Sequence, residues 1–370
     1  MSYQICVRCV MDTTDRDITF DEQGICNYCH HVDTMRAKLP TTQAEADERV
    51  ARLVNRIKRD GRGRRYDCVL GISGGVDSAF TAHLARVHGL RPLVVHLDNG
   101  WNSEVAVTNI KNILEKCNFD LHSLVINWEE FRDLQRAFLK ASVLDIELLT
   151  DHAQFATNFR VARKYNIRYS LAGNNTATES HMPPSWNWIK SDLRNLRGIH
   201  RKFGTVRLRT FPQMSFFSYL LSRRLAFWCR PVYLLDNMLY RRDMALETLN
   251  REYGFRSYGY KHYESIFTKF YQGYVLPRKW GIDKRRIHFS SLINNQEITR
   301  EAALETLQSP PYDSEELKID RPFVLKKLGF SEGEFEAIMQ TPPVPHETYA
   351  SDIKLYRMIR NAKLRLLGSG

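Results

Sequence analysis

The chain has 370 residues, of which 43% are hydrophobic and 26% are charged, a composition typical of one or two packed domains. No apolar stretch approaches the roughly 20 residues of a membrane-spanning helix, and no signal peptide is recognisable, so a cytoplasmic protein is expected. The net charge of +12 favours anionic ligands, but nucleic acid, a nucleotide-linked substrate, an acidic partner and a merely solvated basic surface all stay open.

Four of the seven cysteines form two CxxC motifs near the N-terminus. They are Cys6, Cys9, Cys26 and Cys29, and 16 residues separate the two motifs. In a reducing compartment such pairs indicate a metal rather than disulfides, and four thiolates complete a closed tetrahedral shell. Residues 1–40 are therefore predicted to form a ribbon around a structural Zn²⁺, with redox chemistry as the alternative.

Strand and helix patterns alternate over the next part of the chain. Helices are predicted at 45–58, 76–87, 104–116, 128–141 and 152–164, and strands at 68–72, 93–97, 121–126 and 167–172. Continuous apolar strands between amphipathic helices predict a Rossmann-like α/β domain, in which helices cover both faces of a parallel sheet. We assign this domain to residues 41–183.

The alternation stops after this domain. A helix is predicted at 236–253 with Gly254 at its end, and Ser331 with Glu334 forms a capping box before a later helix. Residues 184–370 are therefore predicted to be a mainly helical region that binds substrate and docks partners.

The first predicted strand leads directly into the segment 73–78, which reads SGGVDS, and then into a helix. Its two glycines allow backbone N–H groups to approach an anion, and the helix start with the hydroxyls of Ser73 and Ser78 supplies further donors. A carboxylate does not favour phosphate directly, so Asp77 is expected to hold Mg²⁺ or to brace the loop. The usual P-loop motif GxxxxGK[ST] is absent.

Two further loops follow predicted strands, the DNG at 98–100 and the GNN at 173–175, with Glu179 shortly beyond. Taken singly, each is a common turn. Parallel sheets bind their ligands beyond the carboxyl ends of the strands, so three such loops at consecutive strand ends predict one site.

SGGxDS after a strand resembles the signature of PP-loop ATP pyrophosphatases, which include GMP synthetase, NAD synthetase, asparagine synthetase and tRNA-modifying enzymes. The resemblance implies an adenine nucleotide alpha-hydrolase-like fold, cleavage of ATP between its α and β phosphates and transfer of AMP to a carbonyl oxygen. The residues that it assigns to ATP are Ile72, Ser73, Gly74, Gly75, Val76, Asp77, Ser78, Leu97, Asp98, Gly173 and Asn174.

Nearly the whole chain also resembles the N-acetyl sugar amidotransferase family of lipopolysaccharide and nonulosonic-acid biosynthesis. The resemblance rests on the segments 6–14, 73–78, 150–152 and 172–180, and above all on 258–292. It implies that the acetamido group of a nucleotide-activated sugar becomes acetamidino. The amide oxygen would be adenylated first, and ammonia would then displace AMP.

The resemblance also implies cofactors and individual roles. ATP, Mg²⁺ and structural Zn²⁺ are expected. The residues expected to act in catalysis are Asp77, Ser78, Asp151, Glu179, Lys261 and Lys284. The residues expected to bind the sugar nucleotide are Lys261, His262, Glu264, Tyr271, Gln272, Lys279, Lys284, Arg285 and Arg286. Three residues are candidates for the base that deprotonates ammonium, namely Asp151, Glu179 and His181.

Ammonia needs a source, and no cysteine of this chain lies in the nucleophile setting of a glutaminase. The resemblance implies a separate glutaminase, with cyclase-like ammonia-channelling subunits resembling imidazole glycerol phosphate synthase. No nucleic-acid partner is expected.

The strongest alternative is a PP-loop tRNA thiolase or ligase, which shares the phosphate loop, the zinc motifs and the positive charge. Sulfur transfer needs reactive thiols near the loop, whereas Cys68, Cys117 and Cys229 are isolated and are interpreted as packing residues. A scaffold that binds ATP without turning it over is the third possibility.

Overall fold

A parallel sheet forms the centre of the computed structural model, which describes residues 3–218, 220, 229–259 and 263–366. Its strands in these ranges are β1 (Cys68–Gly71), β2 (Pro92–Asp98), β3 (Asp120–Val125), β4 (Tyr169–Leu171) and β5 (Arg230–Val232). The order is β3-β2-β1-β4-β5, and every neighbouring pair is parallel. The chain therefore reverses its direction of travel between β1 and β4, which is the crevice where such sheets bind ligands.

The helices around the sheet confirm the predicted alternation. They are α1 (Asn27–Arg36), α2 (Gln43–Asp60), α3 (Val76–Val87), α4 (Glu104–Cys117), α5 (Trp128–Ala141), α6 (Leu148–Lys164) and α7 (Thr176–Glu179). Side-chain caps explain why the starts of several helices could be predicted. Ser103 accepts the N–H of Ala106 at the start of α4, and Asn127 accepts the N–H of Glu130 at the start of α5. Helix α6 begins four residues before the predicted start at 152, since Leu148 and Leu149 are buried and continue its apolar face.

The C-terminal region is mainly helical, as predicted. Its helices are α8 (Leu193–Phe203), α9 (Arg242–Tyr253), α10 (Ile266–Phe270), α11 (Leu276–Trp280), α12 (Arg285–Asn294), α13 (Arg300–Gln308), α14 (Ser314–Leu328), α15 (Glu332–Gln340) and α16 (Ile353–Leu366). The capping box of Ser331 and Glu334 is present at the start of α15. The helix predicted at 236–253 is partly wrong, because a short 3-10 turn, Leu235–Asn237, ends at an extended Met238 and α9 begins later.

The main hydrophobic core joins all three predicted segments. It contains Cys9 from the N-terminal ribbon, Phe131 and Phe138 from α5, and Phe270 and Phe335 from the C-terminal helices. A second core packs α2, α3, α4 and α9 against the sheet. The boundaries at 40 and 183 stay a prediction, since the segments on either side of each share one packed interior. None of the helices within the described ranges is long and apolar enough to cross a membrane.

Two carboxylates of α5 hold the chain that follows α8. Glu130 accepts the backbone N–H groups of Thr210 and Phe211 at 3.0 and 2.7 Å, and Asp133 accepts those of Thr205 and Val206 at 2.9 and 3.0 Å. Burial raises the pKa of both carboxyls, but these N–H donors outweigh it and hold each pKa below its usual value. The charged forms are therefore part of the folded structure.

We predict that Glu130→Gln lowers the free energy of unfolding at pH 7 by about 1.5–3 kcal/mol, because a charged acceptor of several N–H groups is lost. A depressed folded-state pKa gives stability above the unfolded pKa of about 4.3, and this stability is lost as the pH falls through the folded value. Urea unfolding at pH 7 and pH 4 measures this effect. The free energy of unfolding should fall less between the two pH values in Glu130→Gln than in the parent.

Glu129→Gln on the exposed side of α5 is the control. Its free energy of unfolding should equal that of the parent at pH 7 and at pH 4. Equal acid sensitivity of parent and Glu130→Gln would contradict the role assigned to this carboxylate.

Candidate functional site

The phosphate loop between β1 and α3 is held closed by its own hydroxyl groups. The Ser73 N–H donates to Ser78 Oγ at 3.3 Å, and the Gly75 N–H donates to Ser73 Oγ at 3.2 Å. Gly74 has a φ of +86°, and a Cβ there would lie 3.0 Å from the Ala106 carbonyl oxygen. The loop thus lies so close to α4 that only glycine fits at position 74.

Asp77 points beneath the loop and is buried. Its Oδ1 accepts the Tyr240 hydroxyl at 2.5 Å, and its Oδ2 accepts the Thr178 hydroxyl at 3.1 Å. Of the two functions expected for Asp77, these contacts show bracing. A catalytic role for Asp77 and for Ser78 stays a prediction.

Of the two other predicted loops, the one after β4 contacts the phosphate loop. A Cβ on Gly173 would lie 2.7 Å from the Ser78 backbone nitrogen, so the chain after β4 touches the start of α3. Asn174 donates to Glu179 at 2.8 Å. After β2, Leu97 is buried and Asp98 accepts the Gly100 N–H at 2.8 Å. The three segments follow strands that neighbour one another in the sheet, and a shared binding site stays a prediction.

Three carboxylates lie just before α6 and in its first turn, namely Asp145, Glu147 and Asp151. Asp151 lies 3.0 Å from the Lys190 ammonium, which also contacts Asp145 at 2.7 Å. Glu147 receives Lys284 at 2.7 Å and Gln272 at 2.9 Å. Of these residues the sequence singled out Asp151, Lys284 and Gln272. Asp145, Glu147 and Lys190 belong to no recognisable sequence motif. Only their contacts in the fold identify them as part of this network.

This network borders the phosphate site. The neighbouring Thr150 accepts a hydrogen bond from Asn99 at 3.2 Å in the loop after β2. Asp151 keeps 51% of its side chain exposed and faces a cleft of about 1750 Å³, which Asn174 also lines. The cleft extends to Ala172 and Asn174, just beyond the carboxyl end of β4.

The C-terminal region also reaches the phosphate loop. The Tyr258 hydroxyl accepts the Val76 N–H at 3.2 Å, and a Cβ on Gly75 would lie 3.1 Å from a Glu264 carboxylate oxygen. The Glu264 carbonyl in turn accepts the Ser103 N–H at 2.8 Å. Of the predicted substrate-binding residues, Glu264 therefore lies next to the loop after β1.

Three predicted substrate-binding residues make their described contacts elsewhere. Tyr271 is buried and donates to the Leu144 carbonyl, and Lys279 donates to the Ile338 carbonyl. Arg286 lies 3.0 Å from Asp12 of the ribbon. These contacts stabilise the fold, and the structure does not bring the three side chains to the phosphate loop. Lys261 and His262 lie outside the described residues.

The four predicted metal ligands converge in a buried cluster. All four Sγ atoms lie within 4.8 Å of one another, with Cys6 and Cys29 3.9 Å apart and Cys9 and Cys26 3.7 Å apart. Zn–S bonds of about 2.3 Å in a tetrahedron place the sulfurs about 3.8 Å apart, so the cluster has the dimensions of a zinc site.

His181 belongs to this cluster and not to the phosphate site. It is fully buried, with Nε2 3.9 Å from Cys29 Sγ and 3.1 Å from Asn294 Nδ2. Burial lowers the pKa of His181 to about 4. The prediction that His181 deprotonates ammonium is therefore wrong, because its side chain is buried against the cysteine cluster. His30 lies on the surface against Asp21.

The three remaining thiols are buried and do not form a reactive group. Burial raises the pKa of Cys68 and of Cys117, and raises that of Cys229 to about 12. A thiol is nucleophilic as the thiolate, so these positions are poorly suited to sulfur transfer.

The parallel sheet, the glycine-rich loop after β1 and the loops at the neighbouring strand ends form the α/β fold that the sequence predicts. Residues 264–363 match the family described as "LPS biosynthesis protein WbpG-like, C-terminal domain". The match is confined to this part of the chain, and there it agrees with the family resemblance found in the sequence. No significant match was found among curated proteins.

Several solved structures are similar at low identity. An NH3-dependent NAD synthetase from Campylobacter jejuni is 15% identical with a TM-score of 0.29, and the alignment covers 36% of this chain and 58% of that one, less than two thirds of its length. An NMN synthetase from Francisella tularensis is 16% identical with a TM-score of 0.28, covering 56% and 93%. The U34-tRNA thiolase NcsA from Methanococcus maripaludis is 12% identical with a TM-score of 0.32, covering 82% and 91%.

We predict that Gly173→Ala weakens ATP binding at least tenfold, because the new methyl group must displace the Ser78 backbone nitrogen and with it the start of α3. Calorimetric titration with ATP measures the effect. Gly333→Ala is the matched control, since a Cβ there meets no atom within 4 Å, and it should bind like the parent. Parent-like binding by Gly173→Ala would show that ATP does not use this corner.

We predict one zinc ion per chain, held by the cysteine cluster, and its loss in Cys9→Ser together with most of the soluble protein. Elemental analysis of the purified protein measures the metal. Cys229→Ala removes a buried thiol elsewhere and should keep the zinc. Iron and sulfide in the parent would instead identify a cluster of another kind.

Proposed function

We propose that the protein is an ATP-dependent amidotransferase that converts an N-acetyl group of a nucleotide-activated sugar to acetamidino. The observation that carries this proposal is the junction of a WbpG-like C-terminal domain with a phosphate loop. Glu264, the first residue of the matched domain, lies beside Gly75 of that loop. The pathway, lipopolysaccharide or nonulosonic-acid biosynthesis in the cytoplasm, is part of the proposal.

The chemistry explains why ATP is consumed. The amide oxygen attacks the α-phosphate, an O–P bond forms, pyrophosphate leaves and the amide proton is released. Ammonia then adds to the imidate carbon, and the C–O bond to AMP breaks. An amide oxygen is a poor leaving group whereas AMP is a good one. The backbone donors of the loop would hold the phosphates in place during the first step.

Mg²⁺ would neutralise charge on the phosphates when it is bound with ATP. Both carboxylate oxygens of Asp77 already accept hydrogen bonds, so Asp77 fits this cation poorly. Glu264 fits better, because its carboxylate lies beside Gly75, and next to a phosphate it would need a cation between them.

Two candidates remain for the base that deprotonates ammonium. Asp151 faces the cleft and is held by Lys190 at 3.0 Å, whereas Glu179 is held by Asn174 at 2.8 Å. Asp151 has the more open position, and we assign it this role. Lys284, joined to Glu147 on the same helix end, would act with it on the substrate side.

Ammonia would come from a separate glutaminase, together with cyclase-like subunits that channel it and resemble those of imidazole glycerol phosphate synthase. A tRNA thiolase is the competing function. It is disfavoured by the burial of Cys68, Cys117 and Cys229, none of which offers a thiolate to the loop.

We predict that the protein, given ATP, Mg²⁺ and ammonium, lowers the mass of a UDP- or CMP-linked N-acetyl sugar by about one unit, as O is replaced by NH. AMP and pyrophosphate should form in equal amounts, because each amidination consumes one activation. Mass spectrometry and nucleotide chromatography measure both products.

Gly173→Ala is the negative control, since it alters the phosphate corner. Release of ADP in place of AMP, or modification of tRNA with no change in any sugar nucleotide, would refute the proposed reaction.

A further inference from the structure

A small cavity lies next to the braced side of the phosphate loop. Its volume is about 80 Å³, and its wall includes Thr178, the residue whose hydroxyl bonds Asp77. The polar part of its wall contains three cations, Arg242, Lys284 and Arg285, together with Asp283, Tyr263, Gln272 and His288. Gln272, Lys284 and Arg285 are among the residues predicted to bind substrate. Arg242 and His288 are not, and only the fold places them at the same cavity.

Arg242 is fixed at the cavity from two sides. Its backbone N–H donates to Glu297 at 2.8 Å, and two residues earlier the Tyr240 hydroxyl bonds Asp77 at 2.5 Å. The guanidinium is partly buried and forms no ion pair with any residue in the described ranges. Its neighbour Arg241 differs, because it is paired on the surface with Asp243 at 2.6 Å.

The other two cations of the wall are already neutralised. Lys284 pairs with Glu147 at 2.7 Å, and Arg285 pairs with Asp283 at 2.7 Å. The charge of Arg242 is therefore not balanced by the carboxylates at the cavity. A guanidinium without an ion pair among the described residues favours an anionic ligand, because planar guanidinium binds phosphate oxygens in a bidentate way.

We propose that this cavity binds a diphosphate group, with Arg242 as its main cationic contact. Roughly 10–15 Å³ is enough for one water, so the cavity holds several waters or a small polyanion but is too small for a nucleoside. The diphosphate is either the pyrophosphate part of ATP or the linkage of a sugar nucleotide. This assignment of a ligand rests on the proposed function.

The test compares Arg242→Ala with Arg241→Ala by calorimetric titration with pyrophosphate. Arg242→Ala should bind pyrophosphate at least tenfold more weakly than the parent, and Arg242→Lys should fall between them because it keeps the charge but loses the bidentate geometry. Arg241→Ala should match the parent. Thermal unfolding should show equal melting temperatures, since the Arg242 side chain forms no ion pair within the described part of the chain.

A second titration, with UDP-N-acetylglucosamine, identifies the source of the diphosphate. Weaker binding of pyrophosphate and ATP alone assigns the cavity to the leaving group, and weaker binding of the sugar nucleotide assigns it to the acceptor. Equal binding of all three by parent and Arg242→Ala would overturn the proposal. These titrations measure binding and need no turnover. If the protein binds pyrophosphate through Arg242 but amidinates no sugar, the proposed reaction is refuted while the diphosphate site stands.

Discussion

The contact between two backbones at the phosphate corner is the constraint on which the site depends. Gly173, after β4, lies against the Ser78 nitrogen at the start of α3, with no room for a Cβ. This contact sets the position of α7, because Thr178 is only five residues further on and bonds Asp77. Asp77 also holds Tyr240, from which α9 continues. The loop that faces the nucleotide is thus fixed by the strand next to it and by the region after the sheet.

The N-terminal ribbon is tied to the same framework. Arg300 donates to the carbonyls of Cys6 and Cys9 at 2.9 and 3.0 Å, so the C-terminal helices hold the CxxC turns. His181, two residues after α7, packs against Cys29. A metal in the cysteine cluster would stabilise the chain on both sides of the phosphate loop. The ribbon is therefore better understood as a structural support of the site than as an appended module.

Sequence patterns could predict the elements that their own residues determine. The bounds of α3 and α5 are as predicted, because α3 is followed by Gly89 with its positive φ and α5 is capped at its start by Asn127. Strand β5 was missed, since three residues with Pro231 in the middle carry no strand pattern and pair only along one edge. Charges were harder still. Arg286 was assigned to substrate, but its partner is Asp12 of the ribbon, and no local signal links positions so far apart.

Part of the net positive charge is paired with carboxylates in the fold. Around the site, Lys190 and Lys284 are each bound to carboxylates of the segment that begins α6, so they do not form a basic patch that attracts polyanions. Pairing fixes their positions and restricts recognition to ligands that can exchange with a carboxylate. The domain that supplies Lys284 also supplies Glu264 at Gly75. Because this domain contacts both the phosphate loop and the carboxylate segment that leads into α6, one structural unit holds these two parts of the site.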